Sequence, residues 1–130
     1  MKSLLLDIVE YFTSLGLTEG DGVDCFRDFS PEAPDNIIYL IEYNGGEVPY
    51  YEDNAAHRSV QVNVRNVDAD AARIKSLELF KALKSDTKYI QFTETRWGQV
   101  TLRQTPFKVK QDENKRTIYA FNMGITTTID

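Results

Sequence analysis

From Ser59 to Arg65 the chain reads Ser-Val-Gln-Val-Asn-Val-Arg, with apolar and polar residues in strict alternation. A period of two puts Val60, Val62 and Val64 on one side of a pleated strand and Gln61, Asn63 and Arg65 on the other, which predicts one buried face and one wet face. The period then changes. From Ala69 to Lys84 the pattern is that of an amphipathic helix, with Ala69, Ala72, Phe80 and Leu83 on its stripe and Leu77 and Leu79 beside it. Asp68 stands where such a helix needs an oxygen to accept from its first free backbone amides.

The rest of the chain divides by the same criteria. Leu4 to Leu15 predicts a helix with Leu5, Ile8, Val9 and Phe12 on one stripe, Ser3 as its cap and Gly16 as its stop. Asn36 to Tyr43 is a strand apolar on both faces, so it is expected in the middle of a sheet or under an interface. Between Gly20 and Pro34 the chain is acidic and turn-rich, with a short strand around Val23, Cys25, Phe26 and Phe29. Tyr89 to Phe92 and Gly98 to Arg103 read as a hairpin. Phe107 to Lys110 turns through Gln111–Asn114 into a last strand from Thr117 to Ile129, where Tyr119, Phe121, Met123 and Ile125 share a face. Between Glu47 and His57 lies a loop of a length that is usually functional, expected to be mobile until a neighbour orders it, and Tyr50 and Tyr51 mark it for contact with a partner.

One apolar stripe per helix and one apolar face on each long strand predict a two-layer α+β fold. It is expected as a single domain over residues 1–130, with one mixed, mainly antiparallel sheet and two helices packed on one face.

Composition narrows the function classes. With 42% apolar and 27% charged residues, and no apolar run of bilayer length, the chain reads as globular with no membrane partner. The opening Met-Lys-Ser-Leu-Leu-Leu is interrupted by Asp7 and Glu10, so no secretion signal is expected. Cys25 is the only cysteine, which fits a reducing compartment. The net charge of −5 hides a division: residues 1–57 hold twelve acids and two bases, residues 58–130 thirteen bases and eight acids. Either the two halves neutralise each other within one fold, or an acidic face on one copy meets a basic face on the next, head to tail, as in rings.

Catalytic chemistry finds few footholds. His57 is the only histidine, which excludes a multi-histidine metal site, and no nucleophile signature accompanies it. Cys25, close to Phe26 and Phe29, reads as a small core hydrophobe. Asp68 and Asp70 are explained by a helix start, and Asp21, Asp24 and Asp28 lack the spacing of a calcium loop. Asn44-Gly45-Gly46 lacks the context of a phosphate-binding loop. No catalytic residue, cofactor, metal or small-molecule substrate is therefore expected. The bases Arg103, Lys108, Lys110, Lys115 and Arg116, with Trp97 nearby, leave a nucleic-acid-binding accessory role for the C-terminal hairpin as the alternative, although alternating Lys and Val also describes a guarded strand edge.

The strand from Val60 to Asn66, followed at once by a helix opening Asp-x-Asp and carrying Leu77, Phe80 and Leu83, resembles the small minor capsid and tail-completion proteins of tailed phages and prophages. The Thr105–Phe107 segment, the basic turn at Asn114–Arg116, the last strand from Tyr119 to Thr127 and the opening helix ending near Gly16 are similar to that family too; the part from Gly20 to Pro34 matches least. The resemblance implies an α+β subunit of the tail-terminator or tail-to-head joining kind, a virion protein assembled in the bacterial cytoplasm. It implies self-association as a hexameric ring, tail tube and connector proteins as partners, and no catalytic residues. The residues expected at its interfaces are Tyr50, Tyr51, Arg65, Arg103, Lys108 and Lys110.

Overall fold

The computed structural model describes residues 3–43, 50–52, 55–84 and 89–128, at 50–52 and 128 the backbone only. In chain order the elements are α1 (Leu4–Ser14), β1 (Cys25–Arg27), β2 (Ile37–Tyr43), β3 (Tyr50–Glu52), β4 (Ala55–Asn66), α2 (Ala69–Leu83), β5 (Ile90–Thr93), β6 (Arg96–Leu102), β7 (Phe107–Gln111) and β8 (Thr117–Thr128). Both helices begin as their caps dictate. The Ser3 hydroxyl accepts from the Leu6 amide at 3.2 Å and the Asp68 carboxylate from the Asp70 amide at 3.0 Å. Gly16, at φ +75°, follows α1 in the left-handed conformation that glycine adopts without strain.

The strands form one mixed sheet in the order β1-β2-β4-β8-β6-β5, parallel only between β1 and β2. Its spine is the pair β4–β8, in register from Ala55 opposite Thr128 to Asn66 opposite Thr117. β3 pairs with the start of β4 on the side where β2 pairs further along, and β7 pairs with the start of β8 on the side where β6 follows. The loop expected between Glu47 and His57 is thus partly a hairpin, because β3 pairs back on β4 at Ala55 and Ala56. Residues 47–49 and 53–54 of that expectation, and Ile129, lie outside the described residues.

Both helices pack on one face of the sheet, as the amphipathic patterns require. Leu4, Ile8 and Phe12 of α1 and Ala72, Leu79 and Leu83 of α2 share a core with Ile38 and Leu40, with Val60, Val62 and Val64, and with Phe121, Met123 and Ile125. Fully burying one such side chain is worth roughly 1.5–3 kcal/mol, so this layer holds the fold together. The helices also touch each other, the Tyr11 hydroxyl donating to the Ala82 carbonyl at 3.1 Å. The stripe of α2 differs from the expected one. Ala69 is exposed at the helix start, Phe80 is half-buried with its ring edge-on to Phe121, and Ser76 joins Ala72, Leu79 and Leu83 in the buried row.

The opposite face of the sheet is not uniformly wet. Asn63 and Arg65 are each only 3% exposed, and Ile37, Tyr39 and Ile118 form a second apolar cluster there. The cause is the connection from β1 to β2, which folds across this face and offers its backbone carbonyls to Arg65. An alternating pattern reports the chemistry of a residue but not what a distant segment lays over it.

Candidate interaction surface

Two guanidinium groups fix the helix-free face at the start of β2. Arg65 donates to the carbonyls of Pro31 at 2.7 Å, Pro34 at 2.8 Å and Asp35 at 3.1 Å. Arg116 donates to the Glu32 carbonyl at 2.6 Å and the Asp112 carboxylate at 2.8 Å, and pairs with the Asp35 carboxylate at 3.5 Å. Burial, and then the neighbouring Arg116 charge, lower the pKa of Arg65. Burial raises the pKa of Tyr39, while the Arg65 charge pulls the other way. Arg65, expected at an interface, is engaged inside the subunit, where it holds the 31–35 segment in place.

Asp112 organises the turn before β8. It accepts from the Asn114 amide at 3.0 Å, from the Arg116 amide at 2.9 Å and from the Arg116 Nε. Loss of hydration pushes its pKa up, but these hydrogen bonds and the Arg116 charge outweigh that and hold it below the usual carboxylate range.

Arg103 lies just past β6. Its Nη2 donates to Ser59 Oγ at 3.2 Å and passes 3.1 Å from where a Cβ on Gly124 would stand. Ser59 and Gly124 are register partners on β4 and β8, so Arg103 reaches over β8 at the one position that has no side chain in its way. Lys108 and Lys110 lie on β7, all five residues of which are exposed; Val109 stands out of register between them. Neither lysine has an ion pair among the described residues. Tyr50 and Tyr51 fall on β3. Arg103, Lys108 and Lys110 are therefore gathered along one side of β8, whereas Tyr50 and Tyr51 lie on the far side of β4.

The division of charge along the chain is partly resolved within the fold. Arg58 pairs with Glu42 at 2.6 Å, Arg96 with Asp7 at 2.5 Å, and Arg116 with Asp35 at 3.5 Å, each joining a basic residue of the second half to an acid of the first. Arg116 is thereby withdrawn from the basic set that suggested nucleic-acid binding. The Asp7–Arg96 pair was not legible in the sequence, because nothing local ties a helix residue to one so far along the chain.

His57 and Cys25 both lie on strands of the sheet. The Nδ1 of His57 lies 2.6 Å from Thr126 Oγ1, across neighbouring strands. Cys25 is buried, and burial together with Asp24 and Asp21 pushes its thiol up to about 12, so it stays protonated and unreactive at neutral pH. Among the described residues no three His, Cys, Asp or Glu side chains converge as a metal site, and no helix is long and apolar enough to cross a membrane. A cleft of about 210 Å³ beside α2 brings Asp24, Arg65 and Lys75 among apolar residues, and among the described residues no serine, threonine, cysteine or histidine lines it.

The family model described as bacteriophage tail terminator protein matches residues 11–129. The chain belongs to that family. The match begins inside α1 and takes in every strand, so it covers the sheet and α2 whole. No curated protein matches the chain. Membership makes this a structural phage tail protein and a virion component.

Proposed function

We propose that the chain closes the head-proximal end of a phage tail as one subunit of a hexameric ring, joining the tail tube to connector proteins of the head. The observation that carries this reading is the tail-terminator match over nearly the whole fold. Assembly takes place in the host cytoplasm, and the protein acts by binding without turnover. Arg103, Lys108 and Lys110 set the rate and register of subunit encounter, and apolar groups, with the Tyr50–Tyr51 hairpin among them, supply most of the affinity.

Light scattering on the purified chain, with electron microscopy of the same sample, tests the proposal. A six-subunit ring is expected at tens of micromolar. At 1 M salt, where the Debye length is about 3 Å, assembly should slow while the ring persists. A chain that stays monomeric throughout overturns self-association, and faster assembly in high salt overturns the electrostatic part.

A further inference from the structure

Two edge strands of the sheet, β1 and β7, expose surfaces of opposite sign. At one end stands β1, whose flanks leave Val23 52% and Phe29 59% exposed; Phe29 is held by an edge-on contact with Phe26, ring centroids 5.8 Å apart. Residues 19–29 hold four acids, Glu19, Asp21, Asp24 and Asp28, against Arg27 alone. At the other side, beyond β4 and β8, lies β7, paired only with β8, leaving Phe107 37% and Val109 45% exposed. Residues 103–111 hold three bases, Arg103, Lys108 and Lys110, and no acid.

We propose that the β1 rim of one subunit, centred on Val23, Asp28 and Phe29, docks on the β7 edge of a second copy, centred on Phe107, Lys108, Val109 and Lys110. This rests on the ring reading above and names its contact. The occupant is a second copy because each patch supplies what the other lacks. Both have two exposed apolar side chains, and their charges are opposite. Pairing of two different patches is heterologous, so each subunit turns its β1 rim to one neighbour and its β7 edge to the other, and the chain of contacts can close into a ring. Lysines on β7 also oppose contact between two β7 edges, since like charges would then face each other. β1 is short, and one of its outward carbonyls, that of Cys25, already accepts from the Gly22 amide at 2.8 Å. The contact is therefore made by side chains, without continuing the sheet from copy to copy.

Cross-linking tests it on the full chain. A chain carrying Val23→Cys and Val109→Cys, mildly oxidised, should give a covalent ladder up to the ring, while Val67→Cys with Val109→Cys should give none. The native Cys25 is buried and does not interfere. Lys108→Glu with Lys110→Glu should weaken association about 10-fold or more, with the melting temperature unchanged. If the wild-type chain forms rings but the first pair gives no more ladder than the control, the β1–β7 contact is wrong and the ring stands. A wild-type chain that remains monomeric overturns the ring, and this contact with it.

Discussion

The Asp7 carboxylate and the Arg96 guanidinium, 89 positions apart in the chain, meet at 2.5 Å inside the fold, where they are 3% and 1% exposed. Arg96 also donates to Thr127 Oγ1 at 3.2 Å, and that hydroxyl donates to the Trp97 carbonyl at 2.8 Å. One ion pair thus ties α1 to the β5–β6 hairpin and to the end of β8. A buried pair is costly to break from one side, because the charge left behind has lost its hydration and its partner. Asp7→Ala or Arg96→Ala should each cost about 3–5 kcal/mol in urea unfolding, whereas Asp7→Leu with Arg96→Met should lose much less. Equal losses in the single and double variants would contradict a pairwise role.

Gly98 is required for space. A Cβ there would lie 2.6 Å from the Phe92 ring and 3.1 Å from Ile125. Gly98→Ala should destabilise by about 1–3 kcal/mol through overpacking. Adding Phe92→Leu, which clears the ring, should recover part of the loss, and thermal melts of the two variants compare them directly.

The two large residues of α2 should respond differently to truncation. Leu79 is fully buried, so Leu79→Ala should cost about 2–5 kcal/mol. Phe80 is half-buried against Phe121, so Phe80→Ala should fall near the lower end of the range of about 3–5 kcal/mol for aromatic truncations. A wild-type melting curve for Phe80→Ala would contradict the orientation of the helix.

Asp112 gives the fold a dependence on acid. Its folded pKa lies below its unfolded value, so the unfolded chain binds the extra proton. The stabilisation is fully present above the unfolded value of about 3.9 and is lost as pH falls through the folded one. Asp112→Asn should lower the melting temperature at pH 7, and the gap to wild type should shrink as pH drops below 4. A constant gap from pH 7 to pH 2 would show that the carboxylate charge is not what matters.

Local physics alone determined most of the elements. The alternation at Val60, Val62 and Val64, the caps Ser3 and Asp68, and the polar turn before Thr117 fixed strands and helices because each depends on neighbours a few residues away, and the apolar stripes sufficed to put both helices on one face. The resemblance to tail-completion proteins, carried by those same segments, pointed to the family that the matched model shows. Only the tertiary structure decided which polar residues stay wet. Arg65 and Arg116 look like surface bases in the sequence, yet the 31–35 segment lies over them, and Asp7 finds Arg96 only because the sheet order brings the β5–β6 hairpin beneath α1. It also left β7 as a free edge with Lys108 and Lys110 upon it. Such pairings join residues distant in sequence, and no pattern of period two or 3.6 carries information about them.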